Sequence, residues 1–180
     1  MTTDYNNVQL PPNTLAFIAL CNEYCAALEN MPASAMPAEF VRTMLRLLPR
    51  IYITATDLRV DDPDEAYIEP TMDEATYNTI QSSISALLGE HDTYLEVFEE
   101  DMKFSDTPIA AGISEGLADI MQVLFNFIEM AKDAPDHIVN AAVAAVKDDF
   151  RNYWSRILCN VLRALNALEY SGVLESESDY

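Results

Sequence analysis

Bases, glycine and histidine are all in short supply. With 10 lysines and arginines against 30 aspartates and glutamates, the chain carries a formal charge of -20. A protein so poor in cations is not expected to bind the phosphate backbone of nucleic acid or an anionic membrane surface directly. Only 4 glycines occur in 180 residues, too few for the turn-rich chain of an all-β fold or the phosphate-binding turns of a dinucleotide fold. No G-x-x-x-x-G-K phosphate loop is present. The 2 histidines, His91 and His137, form no E-x-x-H pair of the kind that holds metals between bundle helices. No metal or other cofactor is therefore expected. The 3 cysteines, Cys21, Cys25 and Cys159, are an odd number, and the four-residue step from Cys21 to Cys25 lacks the second pair of a zinc site. Both are expected as buried free thiols. There is no run of about 18 apolar residues that could cross a membrane. The first residues lack the basic start and apolar core of a secretory signal, so a cytoplasmic location is expected.

Half of the residues are apolar, and Leu, Ala, Met and Glu are plentiful, which tilts the backbone toward helix. The expected fold is all-α: a single compact bundle of about five to seven helices, long and antiparallel, with an acidic loop region. A flexible segment is expected over residues 1–12, the bundle over 13–172 and an acidic tail over 173–180. Asn13 can cap a first helix that carries Phe17, Cys21, Tyr24, Cys25 and Leu28 at three-and-four spacing and ends near Asn30. Pro37 opens a second, with Phe40, Val41, Met44, Leu48 and Ile51 inward and a kink expected at Pro49, which has no amide to bond back to Leu45. Thr71 and Glu74 read as a capping box for a third helix, which Gly89 stops. A short helix and a loop are expected over 90–107. A fourth helix should run from Pro108 to about Lys132, and a last from Pro135 to Tyr170 with the inner row Val139, Val143, Val146, Phe150, Tyr153, Ile157, Val161, Ala164 and Leu168. Unbroken, that last helix would be about 54 Å long at about 1.5 Å per residue, and a bend is expected near Lys147 to Asp149.

Gly112-Ile113-Ser114-Glu115-Gly116 matches the G-x-S-x-G string of serine hydrolases. That chemistry needs a strand before the serine and a strained turn at it, whereas the periodicity here runs a helix through Ser114. The two glycines instead read as a place where another segment approaches the helix closely. Arg42, Arg46 and Arg50 form a stripe at four-residue steps, expected to pair with the protein's own carboxylates. Glu115 and Asp119, also one turn apart, are the candidates for a carboxylate-based enzyme or metal-binding bundle. The charge is unevenly placed: from Asp57 to Met130 there are 18 acids against Arg59 and Lys103. A non-enzymatic module that docks a basic protein partner is therefore expected. Its site would be Asp61, Asp62, Asp64, Glu65, Glu99, Glu100 and Asp101, with solubility as the plainer use of the same charge. No catalytic residue is assigned.

Several strings, in their order and spacing, resemble a family of small bacterial all-helical proteins known as a domain of unknown function and met mainly in Bacteroidetes. They are Asn22-Glu23-Tyr24-Cys25, Leu47-Leu48-Pro49-Arg50-Ile51-Tyr52, Tyr94 with Val97-Phe98, Ser105-Asp106-Thr107-Pro108, Ser114-Glu115 with Leu117-Ala118-Asp119-Ile120, and Trp154 followed by Leu162-Arg163-Ala164-Leu165. The resemblance covers nearly the whole chain and implies an all-α fold without an assigned activity. The resemblance further implies genes that often lie near RNA-processing enzymes, an exonuclease among them, and hence an acidic accessory protein that docks on a basic enzyme. The periodicity itself predicts a far-UV circular dichroism spectrum dominated by helix, with under about a tenth of residues in strands. A spectrum with substantial sheet content would overturn the bundle.

Overall fold

The structure is a computed structural model that describes residues 10–60, 66–96, 107 and 109–176. Its helices are α1 (Pro12–Glu29), α2 (Pro37–Thr56), α3 (Glu74–Leu88), α4 (Ile113–Ala131), α5 (Asp136–Asp149), α6 (Ser155–Ser171) and α7 (Val173–Ser176). A 3-10 turn, Gly89–Asp92, leads into a two-stranded antiparallel ribbon of β1 (Thr93–Leu95) and β2 (Ala110–Gly112). The all-α expectation holds. α4 is the central helix, packed against α1, α3, α5 and α6, while α2 packs against α1, α6 and α7. Between them lies one core, in which Phe17, Tyr24, Met44, Ile51, Leu117, Phe127 and Trp154 are fully buried.

The helix ends show which local signals acted. Pro12 and Pro37 open α1 and α2, where a missing amide costs nothing. Asn13 is not a cap: it lies inside α1 and donates to Asp57 O at 2.7 Å. There, with Lys147 donating to Leu58 O, it serves carbonyls left open past the end of α2. The capping box is also corrected. Asp73 caps α3 by accepting from Thr76 N at 2.7 Å, while the Thr71 hydroxyl donates to Asn126 Oδ1 at 3.0 Å. Gly89 and Gly172 stop α3 and α6 at φ +55° and +78°, values that side chains disfavour. After Gly172 the expected tail turns back as α7 and places Leu174 in the core. α2 continues through Pro49 to Thr56.

Two expectations fail in instructive ways. The fourth helix starts at Ile113, not Pro108, because Ala110–Gly112 pairs with Thr93–Leu95. A distant strand partner overrides a local helical period. The predicted bend near Lys147 to Asp149 is replaced by a π-helical turn over Phe150–Trp154. A π turn inserts one residue into the helix, so the buried row advances by one in the turns next to it. Trp154 and Leu158 are buried where Tyr153 and Ile157 were expected, Tyr153 is 44% exposed, Val161 and Ala164 are buried as expected, and Leu165 is buried while Leu168 is only half-buried. The Trp154 Nε1–H donates to Val146 O at 3.2 Å, and its ring meets Phe150 edge-on at 4.5 Å.

Removing that indole should cost about 3–5 kcal/mol, the usual range for a large buried aromatic. Chemical denaturation of Trp154→Ala measures it, and a wild-type midpoint would show that the indole contributes nothing to the core. Burial also pushes the Cys21 thiol well up and the Cys25 thiol up to about 12, the latter aided by Glu29, while Cys159 is exposed. A thiol titration with a disulfide reagent at neutral pH should count one fast cysteine in the native protein and three after unfolding. Rapid reaction of all three in the native state would contradict the packing of α1.

Candidate functional site

The N-terminus of α4 follows directly from β2, and its cap residue, Gly112, has no side chain with which to satisfy the first-turn amides. Asp92, buried in the 3-10 turn, supplies the acceptors: Ser114 N donates to Oδ1 and the Ser114 hydroxyl to Oδ2, both at 2.7 Å. A carboxylate is favoured there by the partial positive charge of the helix start. Gln81 Nε2 donates to Ser114 Oγ at 3.2 Å. A three-residue strand thus does precede Ser114, contrary to expectation, yet the serine is no nucleophile. Its Oγ is fully buried and gives its proton to a carboxylate. Among the described residues the only non-glycine with positive φ is Asp133, so Ser114 is not on a strained elbow.

Fixing the ribbon on α4 brings together side chains from four elements. Tyr94 and Glu96, two apart on one face of the extended chain, are joined by a 3.1 Å hydrogen bond from the Tyr94 hydroxyl to Glu96 Oε2. The ladder continues one residue further, with Glu96 N donating to Ile109 O at 2.8 Å. From α4, Glu115 and Asp119 face the same cleft, which Arg156 and Asn160 of α6 also line. α6 can lie this close because residue 116 is glycine. A Cβ there would sit 2.5 Å from Val161 Cγ2 and 3.2 Å from Ile157 Cγ2. Close approach at Gly116 was expected, whereas a Cβ at Gly112 would meet only ordinary contacts.

Two phenols hold carboxylates of this cleft: the Tyr77 hydroxyl donates to Asp119 Oδ1 at 2.8 Å and that of Tyr94 to Glu96 Oε2. Tyr153, of the π turn, feels the Asp119 charge. Burial, first, and then the hydrogen bond to Asp119 push the Tyr77 phenol well above its ordinary value. Burial and the Asp119 charge raise that of Tyr153. For Tyr94 the causes are burial and then Glu96, partly opposed by Arg163, whose guanidinium lies 5.9 Å from the Tyr94 ring centre. All three stay protonated at neutral pH, and Tyr77 and Tyr94 act as neutral donors.

Glu115 and Asp119, paired from sequence, do share the cleft. Asp61, Asp62, Asp64, Glu65, Glu99, Glu100 and Asp101 lie outside the described residues. Two members of the arginine stripe pair internally as expected, Arg42 with Glu169 at 2.6 Å and Arg50 with Glu23 at 3.1 Å. Among the described residues no three His, Cys, Asp or Glu side chains gather as a metal would require. Glu96, Tyr77, Tyr153, Arg156, Asn160 and Asp92 were missed. Tyr153 of the π turn and Arg156 and Asn160 of α6 follow three-and-four steps, but that row was read as interior at Tyr153 and left unread beyond. Nothing in the sequence signals Glu96 or Asp92.

Among the described residues no helix is long and apolar enough to cross a membrane. No curated protein matches the chain. A crystal structure of protein BF1032 from Bacteroides fragilis is similar, with a TM-score of 0.77 and 29% identity over 89% of this chain and 94% of that one. Residues 8–171 match the family described as Domain of unknown function (DUF5063). The match spans the bundle from the approach to α1 to the end of α6, and the chain belongs to that DUF5063 family.

Proposed function

We propose that this protein is a cytoplasmic, non-enzymatic interaction module that receives a basic protein partner on its acidic side. The observation that carries the reading is the charge distribution: 18 acids against 2 bases from Asp57 to Met130, in a chain whose total is -20. Crowded carboxylates repel one another, and a basic partner relieves that repulsion and gains association speed from the field. The cleft adds support. Its Asp119 carboxylate accepts from the Tyr77 phenol, a neutral donor that adds no positive charge. A carboxylate enzyme using Glu115 and Asp119 gains from their shared cleft. It is disfavoured because Asp119 is already engaged by Tyr77, and the raised phenols of Tyr77 and Tyr153 supply no base at neutral pH. A basic RNA-processing enzyme is the first partner to try, as the family resemblance implies.

The experiment is an association-rate series with a purified basic partner. Replacing Asp61, Asp62 and Asp64 with Asn and Glu65 with Gln should slow association without lowering the melting temperature, since neutralising like charges crowded in sequence removes repulsion and no attraction. Wild-type association should slow as salt shortens the screening length from about 10 Å at 0.1 M to about 3 Å at 1 M. Equal rates for both proteins at every salt would leave the acidity a solubility device and end the docking reading.

A further inference from the structure

We infer that the outer face of the α1–α2 hairpin is the surface on which a second copy of this chain docks. Charge singles the hairpin out. Of the 30 acids and 10 bases, residues 10–60 hold 4 of each, which leaves 26 acids against 6 bases for the rest of the chain. The hairpin is neutral, and everything else carries the -20. Two such molecules meet with least repulsion when they approach hairpin to hairpin.

The same face is bare where it should be covered. α1 carries no charged residue before Glu23, and a helix without a charged side is ordinarily packed all round. Phe17, Cys21, Tyr24 and Leu28 enter the core, but the row Pro12, Ala16, Ala19, Glu23 and Ala26, at three-and-four steps, is exposed. Beside it runs the exposed row of α2, Arg46, Arg50 and Ile53. The two rows are tied together by the Arg50–Glu23 pair at 3.1 Å and by the Asn13 bond to Asp57 O. Ile53, 61% exposed, stands on one side of the alanines, and Leu15, 45% exposed, on the other. The result is a shallow trough with alanine methyls for a floor and aliphatic side chains for walls.

Self-complementarity selects the occupant. A two-fold pairing sets one patch against itself. Alanine rows let the helices approach toward the short end of the usual range of about 8–10 Å, and Leu15 and Ile53 of each copy then cover the other's alanines. The Glu23–Arg50 pair is neutral, while Arg46 makes no ion pair among the described residues and is open to a carboxylate of the other copy. A basic partner finds no net attraction on a neutral face. Area sets the strength: α1 is about 27 Å long at about 1.5 Å per residue, and two helices side by side span about 20 Å, so each copy offers roughly 540 Å² against about 800 Å² for a standard interface. The dimer is therefore weak and reversible. It does not need the docking reading above, whose acidic residues lie outside the hairpin.

The test is sedimentation equilibrium of the full chain from about 1 μM to about 1 mM, with melting curves for every variant. The wild type should pass from monomer to dimer. Salt should tighten the dimer, because it screens the repulsion between two chains of -20. Docking of a basic partner should weaken with salt, so the two readings move in opposite directions and can fail separately. Ala19→Glu, an exposed change to a good helix former, sets like charges at the centre of the contact and should raise the dissociation constant by about tenfold or more. Ser82→Glu adds the same charge on the exposed side of α3 and should leave that constant within about twofold. If Ala19→Glu melts early, Ile53→Ser takes its place and should weaken the dimer likewise. A monomer at every concentration and salt overturns the inference and leaves the face to a different protein. Dimerisation as tight in the α1 or α2 variant as in the wild type also overturns it, as does equal weakening by Ser82→Glu. Growth past the dimer would rule out the two-fold pairing.

Discussion

Asp92 holds the ribbon in register on α4. Its two 2.7 Å bonds to Ser114 close the start of the central helix from a residue 22 positions earlier. Hydrogen bonds to a charged group contribute about 1.5–3 kcal/mol each, and here the alternative is a buried amide without an acceptor. Because Asp92 immediately precedes β1, the same grip fixes the ribbon on α4. That determines where Tyr94 and Glu96 stand relative to Glu115 and Asp119. Packing of the apolar core would orient α4 without it, but the cleft would lose one of its walls.

The second constraint is Gly116. With any side chain there, α6 would be pushed off α4 by a contact at 2.5 Å to Val161, far inside van der Waals distance. The π turn before α6 works with this approach. It advances the helix by one residue, so that Trp154 enters the core and Tyr153 turns out toward Asp119. The ring that fills the core and the hydroxyl that reaches the cleft are adjacent residues, made compatible by one turn of wider helix.

These features explain what could be read in advance. The rows Phe17 to Leu28 and Phe40 to Ile51, the stops at Gly89 and Gly172 and the burial of Trp154 are set by local periodicity and backbone preference, and sequence displays both. The ribbon is not local: Thr93–Leu95 and Ala110–Gly112 take their conformation from each other, and each is too short to alternate visibly. The π turn leaves no compositional mark, so the inner positions Tyr153 and Ile157 were each read one residue early, while Val161 and Ala164 were read correctly. Glu115 and Asp119 were legible as a pair because they lie on one helix. Glu96 and Asn160 were not, because only the tertiary fold brings the ribbon and α6 to them.

The choice of donors in the cleft bears on how so acidic a chain can fold. Only 10 bases are available, and two of them, Arg42 and Arg50, are committed to Glu169 and Glu23 on other helices. Holding Asp119 by lysine or arginine would satisfy its oxygens and cancel its charge together. The Tyr77 phenol satisfies an oxygen alone. Burial keeps that phenol protonated, so the hydrogen bond persists wherever the carboxylate is ionised. The carboxylate is thereby fixed in place by a donor that adds no positive charge.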